Sequence, residues 1–194
     1  MNEDVGHRKR ALRAELRERR RNMTATEREQ ADAALSNNLI SLTQDLRARY
    51  IAAYLSTPDE PGTREFLRWA NEAGIKILLP ISRADGLLDW SRYDASQEEE
   101  DHDILGMPTS SGELLSPMAI NDVDLILVPA ACVDQRGMRM GWGRGYFDKT
   151  LGSMERCPPV YAVIFDGEFL DSVPSEVHDQ KVNGIVTPSG VTQF

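Results

Sequence analysis

The chain has 194 residues, 41% of them apolar, a formal net charge of −9 and two cysteines. That length supports one domain with a sizeable core, while the composition holds no apolar run long enough for a membrane span. Cys132 and Cys157 form no CxxC pair, which excludes a disulfide framework or structural zinc site, and the acidic balance argues against general nucleic-acid binding. The charged N-terminus is unlike a secretory signal. A cytoplasmic protein with neither membrane nor nucleic-acid partners is expected.

The charge is uneven. Residues 1–21 carry eight Lys/Arg against four acids, a local +4 that leaves −13 for the remainder. Three explanations are open: a solvated helix face, a nucleic-acid tail, or a cationic clamp on a small phosphorylated ligand. Residues 8–22 are rich in Arg, Leu, Glu and Ala and predict a helix. Leu12 and Leu16 give it a narrow apolar seam, and Lys9 and Arg13 project from one face. Thr24 and Glu27 fit a capping box, so a second helix follows, with Ala31, Ala34, Leu35, Leu39 and Leu42 as its stripe.

Residues 49–55 predict a buried strand, and Ser56 to Gly62 a turn. Thr63 is placed to cap a helix through Ala73, with Gly74 as its stop. Lys76 to Ile81 is the next strand, and strand–helix–strand predicts parallel pairing. Leu87 to Tyr93 suggests a short strand. The acidic run from Gln97 to Asp103 suggests a solvated loop or helix start. Residues 124–129 form a buried strand. A glycine-rich segment follows, then a helix from Tyr146 to Met154 and strands at 160–165 and 184–187. This alternation predicts an α/β fold with a largely parallel sheet.

The chemistry concentrates in Arg139-Met140-Gly141-Trp142-Gly143-Arg144-Gly145-Tyr146-Phe147-Asp148. Alternate glycines let backbone N–H groups approach a ligand as an anion nest, and the following helix adds its positive end. Arg139 and Arg144 suit phosphate oxygens. Asp148 is a hard donor of the kind magnesium uses beside phosphates. The spacing is GxGxG, so it fits neither the dinucleotide fingerprint nor the Walker motif, where Asp148 would displace a required glycine. The plain alternative is a glycine-rich surface turn with solvated arginines. Trp69 and Trp90 read as core residues, while Trp142 has little core to join and is a candidate for stacking on an adenine or a pterin. Cys132 reads as a small buried hydrophobe. His7 reads as lying near a mobile terminus and His102 as a surface residue.

The stretch from Leu127-Val128-Pro129 through Asp134-Gln135-Arg136-Gly137 to Asp148 resembles the hallmark of the 5-formyltetrahydrofolate cyclo-ligases, also called 5,10-methenyltetrahydrofolate synthetases. Three further segments resemble that family in the same order: Lys9-Arg10-Ala11-Leu12-Arg13, Tyr54-Leu55-Ser56 with Asp59-Glu60, and His178-Asp179 with Ile185-Val186-Thr187. The likeness spans nearly the whole chain. It implies one three-layer, Rossmann-like α/β domain over residues 1–194, with the basic helix 8–22 contributing to an ATP site. It implies a ligase of folate and one-carbon metabolism that uses MgATP to convert 5-formyltetrahydrofolate to 5,10-methenyltetrahydrofolate, releasing ADP and phosphate. A monomer is expected.

On this resemblance Lys9, Arg13, Arg139 and residues 141–147 (Gly141, Trp142, Gly143, Arg144, Gly145, Tyr146 and Phe147) bind ATP. The other arginines of the first helix remain a solvated face. Leu55, Glu60, Trp142, Arg144, Gly145 and Tyr146 bind the folate, with Glu60 accepting adjacent pterin N–H groups. Asp148 and Asp179 hold the metal. Arg144 and Tyr146 are the candidate catalytic residues, following the moving phosphoryl group and facing the formyl end. The chain departs from the family pattern in three places. Phe147 stands where a second Tyr is common, Cys132 replaces an aromatic, and Gly106-Met107-Pro108-Thr109 lacks an acidic residue. A relative with a changed second substrate, or a non-catalytic nucleotide- or folate-binding protein, are the competing readings.

Overall fold

Five parallel strands form the centre of the structure, and their order places the site. The computed structural model describes residues 2–96 and 100–194. Helix α1 (Asn2–Asn22) and helix α2 (Ala25–Asp45) precede β1 (Tyr50–Ala52), α3 (Arg64–Glu72), β2 (Lys76–Ser82) and β3 (Leu88–Arg92). A hairpin of β4 (Glu100–His102) and β5 (Pro108–Ser110) follows, then β6 (Leu114–Leu115), β7 (Leu125–Pro129), β8 (Cys132–Asp134) and β9 (Arg139–Met140). The chain closes with α4 (Tyr146–Ser153), β10 (Val160–Val163), β11 (Phe169–Leu170), β12 (Gly184–Thr187) and β13 (Gly190–Gln193).

The main sheet runs β13-β12-β10-β7-β1-β2-β3-β6. The strands from β12 to β2 pair in parallel, while β13, β3 and β6 add antiparallel edges. The parallel pairing expected of β1 and β2 holds, in the register Ile51 with Ile77. Strand order reverses at β1, which has β2 on one side and β7 on the other. In open α/β sheets that reversal leaves a crevice beyond the strands' carboxyl ends.

Successive strand residues feed opposite faces. Ile51, Ile77, Leu125, Leu127 and Val163 pack under Leu35 and Leu39 of α2 and Phe66 and Leu67 of α3. Ala52, Leu78, Ile126, Val128 and Ala162 pack against Trp90, Ile120 and Leu151 of α4. The result is the three-layer α/β architecture the sequence predicts. The buried runs at 124–129, 160–165 and 184–187 are legible because interior parallel strands are apolar on both faces. No described helix is long and apolar enough to cross a membrane.

Several expectations change in detail. The Thr24–Glu27 capping box forms and opens α2, and Gly74 adopts φ 75 behind α3. Thr63 precedes α3 but its hydroxyl makes no cap bond. It donates instead to the Tyr54 carbonyl at 2.6 Å and accepts the Ser56 N–H at 3.0 Å, which ties β1's exit to the start of α3. The acidic run is part strand: residues 100–102 pair with β5, and residues 97–99 lie outside the described residues. His7 belongs to α1 rather than to a mobile end, and His102 is exposed. Trp90 is fully buried, and Trp69 stacks on Phe66 with ring centroids 6.0 Å apart.

A small second sheet, β11-β8-β9, has no counterpart in the sequence reading. Its strands are two or three residues long, too short to show a period. The hairpin joining β8 to β9 turns at Gly137, φ 79, and its start is fixed by buried Asp134, which accepts the N–H groups of Arg136 and Met138. Leu12 and Leu16 of α1 pack on this sheet against Cys132, Met140 and Val173. The seam read from the sequence thus holds α1 across the carboxyl end of the main sheet. Cys132 is fully buried there, and burial pushes its thiol pKa up to about 12, the behaviour of an inert hydrophobe.

Candidate active site

A cleft of about 830 Å3 opens at the reversal of strand order. Its walls are the exit of β1, the ends of β2 and β7, the β9–α4 loop, the 176–179 loop, the turn of the β4–β5 hairpin and one face of α1. Every residue that the sequence analysis offered for ATP, folate or metal lines it: Lys9, Arg13, Leu55, Glu60, Arg139, the segment from Gly141 to Asp148, and Asp179. Residues 170 positions apart therefore meet, as in the Lys9–Asp179 bond.

The β9–α4 loop needs its glycines. Gly143 has φ 104 and Gly145 φ 73, a region costly for side chains. A Cβ on Gly143 would also lie 3.2 Å from a guanidinium nitrogen of Arg13. Arg13 donates through Nε to the Gly141 carbonyl at 2.8 Å, so α1 and the loop are one unit. Gly145 sits at the N-cap of α4 without a side chain to cap it. The first helical N–H groups and the positive end of the helix therefore remain available to an anion.

Arg139 and Arg144 behave differently. Arg139 is buried, donates to the Pro129 carbonyl at 2.8 Å and approaches Asp148 at 3.3 Å. Its Nε has no partner among the described residues. Arg144 is exposed between two positive-φ glycines. One arginine is fixed and the other is free to follow a ligand. Tyr146 donates its hydroxyl to the Arg83 carbonyl at 2.9 Å, just past β2. Phe147 lies 6.0 Å beneath the Arg139 guanidinium.

The carboxylates fall into two groups. Asp148 faces Arg139 and accepts the Gln180 N–H at 3.1 Å. Asp179 instead clusters with Glu176 and His178, ligand atoms within 4.8 Å of one another. Glu176 was absent from the sequence reading, since it lies outside the family-like His178-Asp179 segment and its loop has no period. Lys9 bridges this cluster, 2.7 Å from Asp179 and 2.8 Å from Glu176. Burial alone would lower the Lys9 ammonium pKa, but these two hydrogen-bonded carboxylates outweigh it and raise it.

One expectation about α1 is overturned. Arg20 is not part of a solvated face: it is 3% exposed. It donates to Glu168 at 2.6 and 2.8 Å and to the Ala130 carbonyl at 2.8 Å. Its guanidinium lies 4.8 Å from the Trp142 ring centroid, and Arg17 lies 5.2 Å from the same ring. Trp142 is thus held from the α1 side by two cations. A signal was present: Arg20 continues the Leu12–Leu16 seam by one helical turn.

Glu60 also lines the cleft, 8% exposed, accepting the Thr57 N–H at 2.8 Å. Burial raises its pKa, and that N–H and the Arg20 charge offset only part of the effect. A carboxyl whose folded pKa is raised costs the fold stability as pH climbs from the unfolded pKa through the folded one. Glu60→Gln should therefore raise stability at neutral pH and flatten its pH dependence across the carboxylate range. Urea unfolding at a series of pH values checks this; an unchanged slope with pH would contradict it.

An open parallel sheet with a cleft at its reversal point, a glycine loop and a bare helix N-terminus defines a doubly wound α/β protein built for a small charged ligand. Comparison with known proteins narrows the class. The model of the 5-formyltetrahydrofolate cyclo-ligase family matches residues 5–188, and the chain belongs to that family of ligases. It is 33% identical to the 5-formyltetrahydrofolate cyclo-ligase of Mycolicibacterium smegmatis, over 91% of this chain and 92% of that one. It is 28% identical to the mouse protein of the same name, over 94% of each. The solved 5,10-methenyltetrahydrofolate synthetase of Aquifex aeolicus shares the fold, with a TM-score of 0.79 over 95% of this chain and 92% of that one at 24% identity.

Proposed function

We propose that this chain is a cytoplasmic, monomeric enzyme that cyclises 5-formyltetrahydrofolate to 5,10-methenyltetrahydrofolate at the expense of ATP. The observation that carries the reading is one cleft lined by Lys9, Arg13 and Arg139, by a bare helix N-terminus and by the buried Glu60 carboxyl. The cations and the helix end suit a polyphosphate, and the carboxyl suits a heterocycle with adjacent N–H donors.

ATP lies along the glycine loop, with Arg139, Arg13 and the α4 N-terminus around its phosphates. Lys9 reaches them by leaving Glu176 and Asp179. The folate ring lies toward Leu55 and Glu60. The donor set fits magnesium: Asp148 and Asp179 are hard oxygen donors, and Asp179 already pairs with a positive charge, the Lys9 ammonium 2.7 Å away. Asp179, with Glu176 beside it, and Asp148 from its place beside Arg139 would hold it, and it would neutralise phosphate charge during transfer.

The N5-formyl group is amide-like. Nitrogen donation weakens its carbonyl, and its oxygen is a poor leaving group. Transfer of the γ-phosphoryl group to that oxygen gives an iminium phosphate and ADP. N10 then attacks the formyl carbon, the C–O bond breaks, phosphate departs and the N10 proton is lost. The chain supplies position and charge rather than a covalent nucleophile. Arg144 follows the moving phosphoryl group, and Tyr146 faces the formyl end.

Formation of the methenyl product, followed by absorbance with and without ATP, tests the reading. Product with ATP and none without it is expected. Equal formation in both reactions contradicts ATP dependence. No product in either, alongside retained binding of ATP or folate, would favour a non-catalytic binding protein.

A further inference from the structure

Tyr54 lies two residues past β1 and lines the cleft. It is 4% exposed, and its hydroxyl has no hydrogen-bond partner among the described residues. Most buried hydroxyls are paired, because an unpaired one loses its hydration without replacement. Looseness does not account for this one. The Tyr54 carbonyl is held by the Thr63 hydroxyl at 2.6 Å, and that same hydroxyl accepts the Ser56 N–H. The backbone on both sides of the ring's attachment is therefore fixed.

The ring itself packs in the core beneath α2 and α3, so the orphan hydroxyl and the carboxyl near it are what point to a ligand. Glu60 lines the same cleft and is buried. Burial raises the Tyr54 pKa far above its usual value, and the nearby Glu60 carboxyl adds to this, so the phenol stays a donor at any working pH. A carboxylate accepts N–H groups, and a phenol donates to a carbonyl oxygen or ring nitrogen. The two side chains together match a heterocycle edge that carries both kinds of group.

We infer that the Tyr54 hydroxyl is a specificity-determining contact for the second substrate, donating to an acceptor on the folate ring edge whose N–H groups Glu60 accepts. This rests on the folate reading above and assigns a polar partner within it. A site that hydrogen-bonds its substrate rejects analogues lacking that group, because its own buried atom is then left unpaired. A folate edge bound there would supply the partner that the hydroxyl lacks among the described residues.

Tyr54→Phe tests this, because it keeps the ring and removes only the orphan oxygen. The expected result is a KM for 5-formyltetrahydrofolate raised about tenfold, with the KM for ATP unchanged. The melting temperature should be equal to or above that of the original protein, since an unsatisfied polar atom has been removed. A lowered melting temperature would mean that the hydroxyl has an internal partner, and would overturn the inference. So would an unchanged folate KM in a folded variant. The original protein run in parallel separates the two readings. Turnover there with an unchanged KM in the variant removes only the Tyr54 contact, whereas no turnover in the original protein removes the folate reading as well.

Discussion

Arg20→Met should destabilise the fold by about 3–5 kcal/mol, the usual cost of leaving one partner of a buried ion pair behind. Glu168 is 5% exposed, and its carboxylate takes both Arg20 nitrogens as well as the Phe165 N–H at 2.9 Å. Without the guanidinium it is a buried charge with one backbone donor, and the Ala130 carbonyl loses its donor too. For a chain of this length the melting temperature should fall by on the order of 10 °C. The double variant Arg20→Met/Glu168→Leu should recover much of that loss, since apolar replacement of a whole buried pair is often close to neutral. It should not recover activity, because Arg20 also backs Trp142 in the cleft. A double-variant cycle by denaturant unfolding measures the coupling; a single variant within 1 kcal/mol of the original, on the scale ordinary surface changes occupy, would show that the pair carries little.

Arg144→Ala should lower kcat by about 1000-fold while leaving the KM for ATP nearly unchanged. An arginine that meets phosphoryl charge chiefly in the transition state acts on rate and not on ground-state affinity. The contrast with Arg139 motivates the assignment. Arg139 is 4% exposed and bonded to Pro129 and Asp148, so it cannot follow a moving group. Arg144 is exposed between glycines at φ 104 and φ 73, which give its backbone freedom that no other residue type would. Steady-state kinetics with ATP varied at saturating folate separate the two parameters. A large rise in the KM for ATP with kcat preserved would make Arg144 a binding residue only.

Much of this was legible from the residues. The apolar runs that build β7, β10 and β12 are unambiguous because both faces of a central parallel strand are covered. The glycine loop was legible because a phosphate nest needs residues that tolerate positive φ, and two of the three glycines adopt it. What escaped was long-range or too short to be periodic. Glu168 ends a single 3-10 turn after β10, and nothing near it announces a partner 148 residues away on α1. Glu176 shares Lys9 with Asp179 for the same reason. Arg20 sits in a run of three arginines that looks uniformly solvated until the spacing from Leu12 and Leu16 is followed one turn further. The orphan hydroxyl of Tyr54 shows only in three dimensions. In sequence Tyr54 is one more aromatic in a strand.

The central claim is that ATP acts by phosphorylating the formyl oxygen of the bound folate. Substrate carrying oxygen-18 in its formyl group, turned over with unlabelled ATP and water, addresses it directly. The inorganic phosphate released should carry one labelled oxygen per turnover, because the C–O bond breaks when N10 closes the ring. Unlabelled phosphate accompanying full conversion to the methenyl product would contradict the account, and ATP would then have to drive ring closure without bonding to the formyl oxygen.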